Sequence, residues 1–372
     1  MKINLLCHAM NNRQKFKRCL ILSGGGSRFA YYLGIHAAAE HCHQAPDLLL
    51  ASCGGAIAGA IIQGLPNSAE RKQWVLSRAM YHYLQRLQVA PEVRLYPQLL
   101  RALARYLASY TNREGVARIP DLYADYLVDV SPAIPLPPHA IDGPTLAIVG
   151  GRLLYQRSDS GRLRNGQPLF SEVIFANQTI RALLEGVLSP ISGAYGSGSV
   201  ILPMLEVMSD VPVADAVRIS LADIFYAQCQ RYGLHHYCGG VIDLYPLELA
   251  RTLATEIAME LKPPFNRQLA NPALRAVFGF DGNARLRHVH AQATEVRIDT
   301  SDMAYVIAAS VNKRIQLLAN RIVFSSCSYP EYVATVEAQW QYGFSRGLEG
   351  YRRAAGSRVR PRLCNNDNWS EV

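Results

Sequence analysis

The apolar run Cys19-Leu20-Ile21-Leu22 stops at Ser23-Gly24-Gly25-Gly26, and the run Leu48-Leu49-Leu50-Ala51 stops at Ser52-Cys53-Gly54-Gly55. Nothing else in the chain restricts its fold as strongly. A short, continuous apolar run bounded by turn residues suits a strand buried on both faces, and such strands belong to parallel sheets. Behind each glycine turn lies a segment of helical character, 27–41 after the first and the small-residue stretch 56–63 after the second. Two strand–turn–helix units in the first fifth of the chain are the pattern of a doubly wound sheet. The expected fold is therefore α/β, a mostly parallel sheet flanked by helices, with a helical C-terminal region.

Further along, residues 67–110 repeat apolar positions at three and four and read as helical. The stretch 119–143 is crowded with proline and reads as a crossing loop. Residues 145–149 and 153–156, separated by Gly150-Gly151-Arg152, read as a hairpin. The Gly-Ala-Tyr-Gly-Ser-Gly-Ser stretch 193–199 reads as a flexible loop able to cover a site. A helix is expected at 211–222, a strand at 286–293, and helices at 302–324 and 331–353. This divides the chain into a tail (1–15), an α/β core (16–250), a strand and helices packed on it (251–355), and a polar tail (356–372).

Charge and cysteine usage narrow the function classes. The formal net charge is +9 over 372 residues, with Arg13, Lys15, Lys17 and Arg18 at one end and Arg352, Arg353, Arg358, Arg360 and Arg362 at the other. Such a surface suits peripheral contact with an anionic membrane, or simply solubility. No zinc-finger, helix-turn-helix or RNA-binding signature occurs, so nucleic acid is not an expected partner. The eight cysteines form no C-x-x-C pair. With no run of transmembrane length and no signal-like leader, a cytoplasmic protein with reduced thiols is expected, in places at a membrane. Glu40-His41-Cys42-His43 has metal-ligand residue types but sits in a turn between helix and strand, so neither a metal nor another cofactor is expected.

Three motifs in chain order resemble those of the patatin-like phospholipase family. Ser23-Gly24-Gly25-Gly26-Ser27-Arg28, with Gly34 following, is similar to its glycine-rich oxyanion loop. Asp47 through Ala51-Ser52-Cys53-Gly54-Gly55-Ala56-Ile57 is similar to its nucleophile turn. Val217-Arg218-Ile219-Ser220 through Phe225, then Tyr237-Cys238-Gly239-Gly240-Val241, is similar to its second catalytic segment. The resemblance covers residues 16–250. It implies an acyl hydrolase acting on a lipid or acyl-thioester substrate, with Gly24, Gly25, Gly26 and Arg28 at the oxyanion and Ser52, Gly54 and Gly55 shaping the nucleophile turn.

The same resemblance places Cys53 and Cys238 where the family keeps its catalytic Ser and Asp. A thiol at a helix N-terminus is a stronger nucleophile than an unassisted hydroxyl, so Cys53 is expected to be the most thiolate-like cysteine and to carry an acyl-enzyme. Cys238 is expected to face it across one pocket, with His236 on the same strand face as a supporting group. Competing assignments remain: Ser52 as nucleophile, Asp243 as acid, a disulfide or a zinc site at the two cysteines, or a catalytically inactive lipid-binding or redox-responsive protein.

Overall fold

Asp47 opens the second strand and fixes its register on the first, its carboxylate accepting the N–H groups of Lys17 and Arg18 at 2.9 and 2.7 Å. From that pair the sheet grows in both directions. The computed structural model describes residues 14–359, apart from 92, 112–115, 130–132, 140–141, 193–198 and 326. In chain order the strands are β1 (Phe16–Ser23), β2 (Leu48–Ser52), β3 (Gln88–Val89), β4 (Val128–Asp129), β5 (Thr145–Leu153), β6 (Phe170–Phe175) and β7 (Glu206–Met208). They continue with β8 (Gln230–Tyr232), β9 (His235–Cys238), β10 (Ala254–Leu261), β11 (Val296–Asp299), β12 (Asn312–Gln316) and β13 (Arg321–Ser325).

The central sheet runs β11-β10-β1-β2-β5-β6-β7, with β9 also on β5 and β8 on β9. Its heart is parallel: β11, β10, β1, β2 and β5 run the same way, and β6 and β9 return antiparallel to β5. The expected α/β class is thus what the chain adopts. Both faces are covered, because Cys19 and Ile21 enter one apolar cluster while Leu20 and Leu22 enter the other. Each such fully buried aliphatic side chain contributes about 1.5–3 kcal/mol relative to exposure.

One covering helix, Ala30–His41, is crossed by the long helix Tyr329–Val359 at unusually short range. A β-carbon on Gly34 would lie 2.0 Å from the Trp340 carbonyl oxygen, and one on Gly343 would lie 1.8 Å from that of Tyr31. Only glycine permits that approach.

Several expectations on the elements are corrected. Gly150 and Gly151 do not turn the chain; β5 runs straight through them, and a β-carbon on either would strike Phe175, Ile219, Ile242 or Cys238 at 2.8–3.1 Å. Residues 286–293 fall largely in the helix Gly282–Ala291, which Asp281 caps by accepting from the N–H groups of Asn283 and Ala284. Residues 302–324 form only one short helix, Met303–Val306, before the β12–β13 hairpin. The helical stretch 67–110 divides into Ser68–Leu76, Arg78–Arg86 and Leu95–Thr111. The core does not close at 250, since β10 pairs with β1 and β11 with β10. Most of the loop at 193–199 lies outside the described residues.

Candidate active site

Because β1 and β2 are parallel neighbours with Ser23 opposite Ser52, their two glycine turns emerge side by side at the carboxyl edge of the sheet. That edge is where open α/β sheets bind ligands. Cys53 stands between β2 and the helix Gly54–Gly64 with φ 50 and ψ −125, a conformation that costs a non-glycine residue about 1–3 kcal/mol. The surroundings impose it. The Cys53 N–H donates to Ser220 Oγ at 2.9 Å, and that hydroxyl donates to the Val149 carbonyl at 2.7 Å, anchoring the turn to β5. Gly54 and Gly55 have no room for a side chain, since β-carbons there would lie 2.5 Å from Gly26 O and 2.0 Å from Leu22 O. Ser52 is fully buried with its hydroxyl donating to the Asp243 carbonyl, so it serves the turn and does not face the cavity.

The Cys53 thiol opens into a cavity of about 520 Å³, the size of a small-molecule site. Its walls are mainly apolar, including Ile57, Leu84, Leu87, Leu244, Phe265 and Val311. The carboxylate that acts on the thiol is Asp223, which lines the same cavity. Asp223 Oδ1 accepts from the Val241 N–H at 3.2 Å. Removal from water pushes the Asp223 carboxyl up to about 6, with the Cys53 thiol and the Val241 N–H opposing that rise. Burial also pushes the Cys53 thiol well above its ordinary value, and the adjacent Asp223 charge adds to it; the Gly54 N–H and Lys262 act the other way. This corrects the expectation of a thiolate-like Cys53. Its place at a helix N-terminus is outweighed by burial and a neighbouring carboxylate.

Cys238 does not meet Cys53 in this cavity. It is the last residue of β9, paired with Gly151, and a β-carbon on Gly151 would stand 2.9 Å from its sulfur. The thiol is buried in the apolar core with Ile242 and Cys229, and burial holds it protonated. Both Cys53 and Cys238 are free thiols. What the Cys238-Gly239-Gly240 turn contributes is space. A β-carbon on Gly239 would lie 2.4 Å from Asp223 Oδ1, and one on Gly240 would lie 2.7 Å from Ser220 Oγ and 3.0 Å from Cys53 N. His236 is also elsewhere, packed edge-on against Tyr123 with ring centroids 5.0 Å apart. Asp243 is bound to Arg285 at 3.0 Å in a buried ion pair and is not the acid of the site.

The glycine loop supplies fewer donors than its three residues suggest. The Gly24 N–H is already held by the Ser52 carbonyl at 2.9 Å. Gly25 and Gly26 line the cavity with φ of 98 and 55, and among the described residues their N–H groups have no acceptor. They are the donors left for an anion. Arg28 also lines the cavity, its Nε donating to the Ile307 carbonyl at 3.0 Å.

Beneath the loop lies a carboxylate that sequence reasoning missed. Buried Glu260, on β10, accepts from Ser23 Oγ at 2.6 Å, Thr300 Oγ1 at 2.8 Å, and the hydroxyls of Tyr31 and Tyr32. Lys262 pairs with it at 2.8 Å and donates to the Ser23 carbonyl. This cage joins β1, β10, the residue after β11 and the first turn of Ala30–His41, and so fixes where Gly24–Gly26 sit. Among the described residues no group of three or more His, Cys, Asp or Glu is placed to hold a metal. Glu40 of the 40–43 cluster is instead held by Arg71 at 2.6 Å. No helix among them is long and apolar enough to cross a membrane.

No family model matches this chain, and no curated protein does. Among solved structures it is similar to VipD from Legionella pneumophila, at 10% identity and a TM-score of 0.35, covering 92% of this chain and 67% of that one. At that likeness nothing about activity passes between the two.

Proposed function

We propose that the chain is a patatin-like acyl hydrolase or acyltransferase that works through a Cys53 acyl-enzyme on lipid-like esters or thioesters, with Asp223 as the base and Cys238, the residue expected to face the thiol, taking no part. One observation carries this reading: a thiol on a strained turn shares an apolar cavity with a carboxylate and with two backbone N–H groups that have no acceptor among the described residues. As the Cys53 sulfur bonds to the substrate's carbonyl carbon, Asp223 takes the thiol proton. The oxyanion is received by Gly25 and Gly26. Collapse breaks the bond to the leaving alkoxide or thiolate, which takes the proton from Asp223 and departs. Water or an acceptor alcohol then gives its proton to Asp223, attacks the thioester, and releases Cys53 with its proton restored. The apolar walls favour an acyl chain over a polar substrate.

The raised thiol favours a second reading, a cavity that holds an acyl chain without cleaving it. Intact mass after exposure to an activated acyl ester separates the two. An acyl adduct on the wild type that is absent from Cys53→Ala supports the enzyme. No adduct, with the acyl ligand still bound, leaves the binding protein.

A further inference from the structure

The helix Leu95–Thr111 is built inside out. Tyr96, Leu99, Leu100, Leu103 and Leu107 recur at three and four and so form one stripe, yet each is 50–67% exposed. Arg105 is turned toward the protein, where it reaches Asp125 at 3.0 Å and lies 4.0 Å over the Phe225 ring, while half-exposed Arg101 reaches the same carboxylate at 2.9 Å. A helix that only covers a core has its apolar stripe inward.

Against the first turn of this helix stands the tip of the β12–β13 hairpin. The Leu95 and Tyr96 N–H groups donate to Asn320, and the Tyr96 hydroxyl donates to the Leu317 carbonyl at 3.1 Å. At that tip Ile315, Leu317 and Leu318 are also exposed. Single exposed leucines are ordinary, but a helix stripe joined to an apolar tip is a patch that requires a partner. Charge narrows the choice. Neither 95–111 nor 312–325 contains an Asp or Glu, whereas Lys313, Arg314 and Arg321 flank the tip and Arg94 precedes the helix. The hairpin also adjoins the rim of the Cys53 cavity: Val311 and Tyr226 line it, and the Lys313 ammonium sits 4.2 Å over the Tyr226 ring.

We propose that the outward stripe of Leu95–Thr111 and the tip of the hairpin dock the protein on an anionic lipid bilayer, bringing the cavity mouth to the lipid surface. Apolar side chains set in a cationic collar are the composition of an interfacial anchor, the leucines entering the acyl boundary and the basic groups meeting headgroups. The proposal rests on the lipid substrate argued above, and its test is kept separate from that reading.

The test is sedimentation of the full chain with vesicles of phosphatidylcholine alone and of phosphatidylcholine mixed with phosphatidylserine. Acylation of Cys53 by a soluble activated ester is measured in parallel. Binding is expected on the mixed vesicles and to fall on the neutral ones. The double variants Leu100→Asp/Leu103→Asp and Leu317→Asp/Leu318→Asp, all at exposed positions, are each expected to lower it about tenfold or more while acylating at the wild-type rate. Failure of the wild type to sediment, equal binding to neutral vesicles, or unchanged binding by both variants would overturn the proposal. So would a wild-type dimer that either variant dissolves, which would make a second copy the occupant. Vesicle binding without acylation would sustain docking and refute the Cys53 enzyme.

Discussion

The turns after β2 and β9 carry the same three residues, Cys-Gly-Gly, and use their sulfur in opposite ways. Cys53 lies one position past the end of its strand, at positive φ, so its side chain leaves the alternation of the sheet and is delivered to the edge. Cys238 is still within β9, and the alternation sends its side chain into the core. The glycines differ as well. After β2 they let the Gly24–Gly26 loop and strand β1 approach Cys53; after β9 they make room for Asp223, Ser220 and the Cys53 backbone. A motif thus fixes where the backbone goes, while one residue of offset decides whether its side chain reaches a substrate.

The comparison can be broken most directly by exchanging its two sulfurs. Cys53→Ala is expected to lower turnover about ten-thousand-fold or more, as for a lost nucleophile. Cys238→Ala should change it only a few-fold and cost about 1 kcal/mol of stability from lost packing. Steady-state rates with denaturant titration read both, and a dead Cys238→Ala with a native fold would reverse the assignment of roles.

Next in size is Asp223. Asp223→Asn should reduce turnover about 100- to 10,000-fold, the range for a positioned base. Wild-type activity should climb with pH through about 6, as the carboxyl loses its proton, and that limb should vanish in the variant. A pH–rate profile unchanged by the substitution would remove Asp223 from the mechanism.

Gly240→Ala sharpens the contrast between the glycine pairs. Its methyl would press on Ser220 Oγ and Cys53 N, so stability should drop by about 1–3 kcal/mol, with the Cys53 turn displaced. If thermal unfolding and activity are both unaltered, the turn after β9 does not support the nucleophile.

Smaller still is an effect on thiol labelling. At neutral pH iodoacetamide should modify Cys53 no faster than half-buried Cys42 or Cys327, because burial and Asp223 keep the thiol protonated. Peptide mass spectrometry over time measures it, and Cys53 labelling first by a wide margin would restore the thiolate picture. The smallest expected shift is in stability. The Asp223 carboxyl ionises near 6 in the fold and near 3.8 when unperturbed, so the folded protein holds the proton longer and loses stability as pH rises between those values. Asp223→Asn lacks that loss and should melt higher than wild type above pH 6, with the gap closing below about pH 4.

The glycine turns were legible in the sequence because they answer to local sterics: an apolar run, a tight turn and a small-residue helix leave few alternatives, and the two turns emerge side by side at one edge of the sheet. The acid was not. Asp223 lies fifteen positions before Cys238, inside the Ser220–Phe225 segment, and only the folding of β9 over that segment aims its carboxylate at Cys53. An acidic residue in that short stretch was the one available signal. Glu260 and Lys262 were hidden for a similar reason, since β10 reads as an ordinary strand until its pairing with β1 places Glu260 beneath the loop. At 286–293 the local pattern misled, because Val289, Ala291 and Ala293 alternate as in a strand, whereas Leu286 and Val289, three apart and both buried, share a face of the helix that forms.

The crossing of Gly34 by Trp340 and Gly343 has a consequence for how the protein is made. Strand β1 needs β10, and the helix behind the Gly24–Gly26 loop needs a helix translated some 300 residues later. Contacts so distant in sequence form late and slowly. The ribosome must therefore deliver the chain through about Tyr351, which is buried in the cluster that holds Tyr31 and Ile35, before the first glycine turn acquires its final backing. A nascent chain thus carries Cys53 and both glycine turns long before it carries the helix that holds the first of them in place.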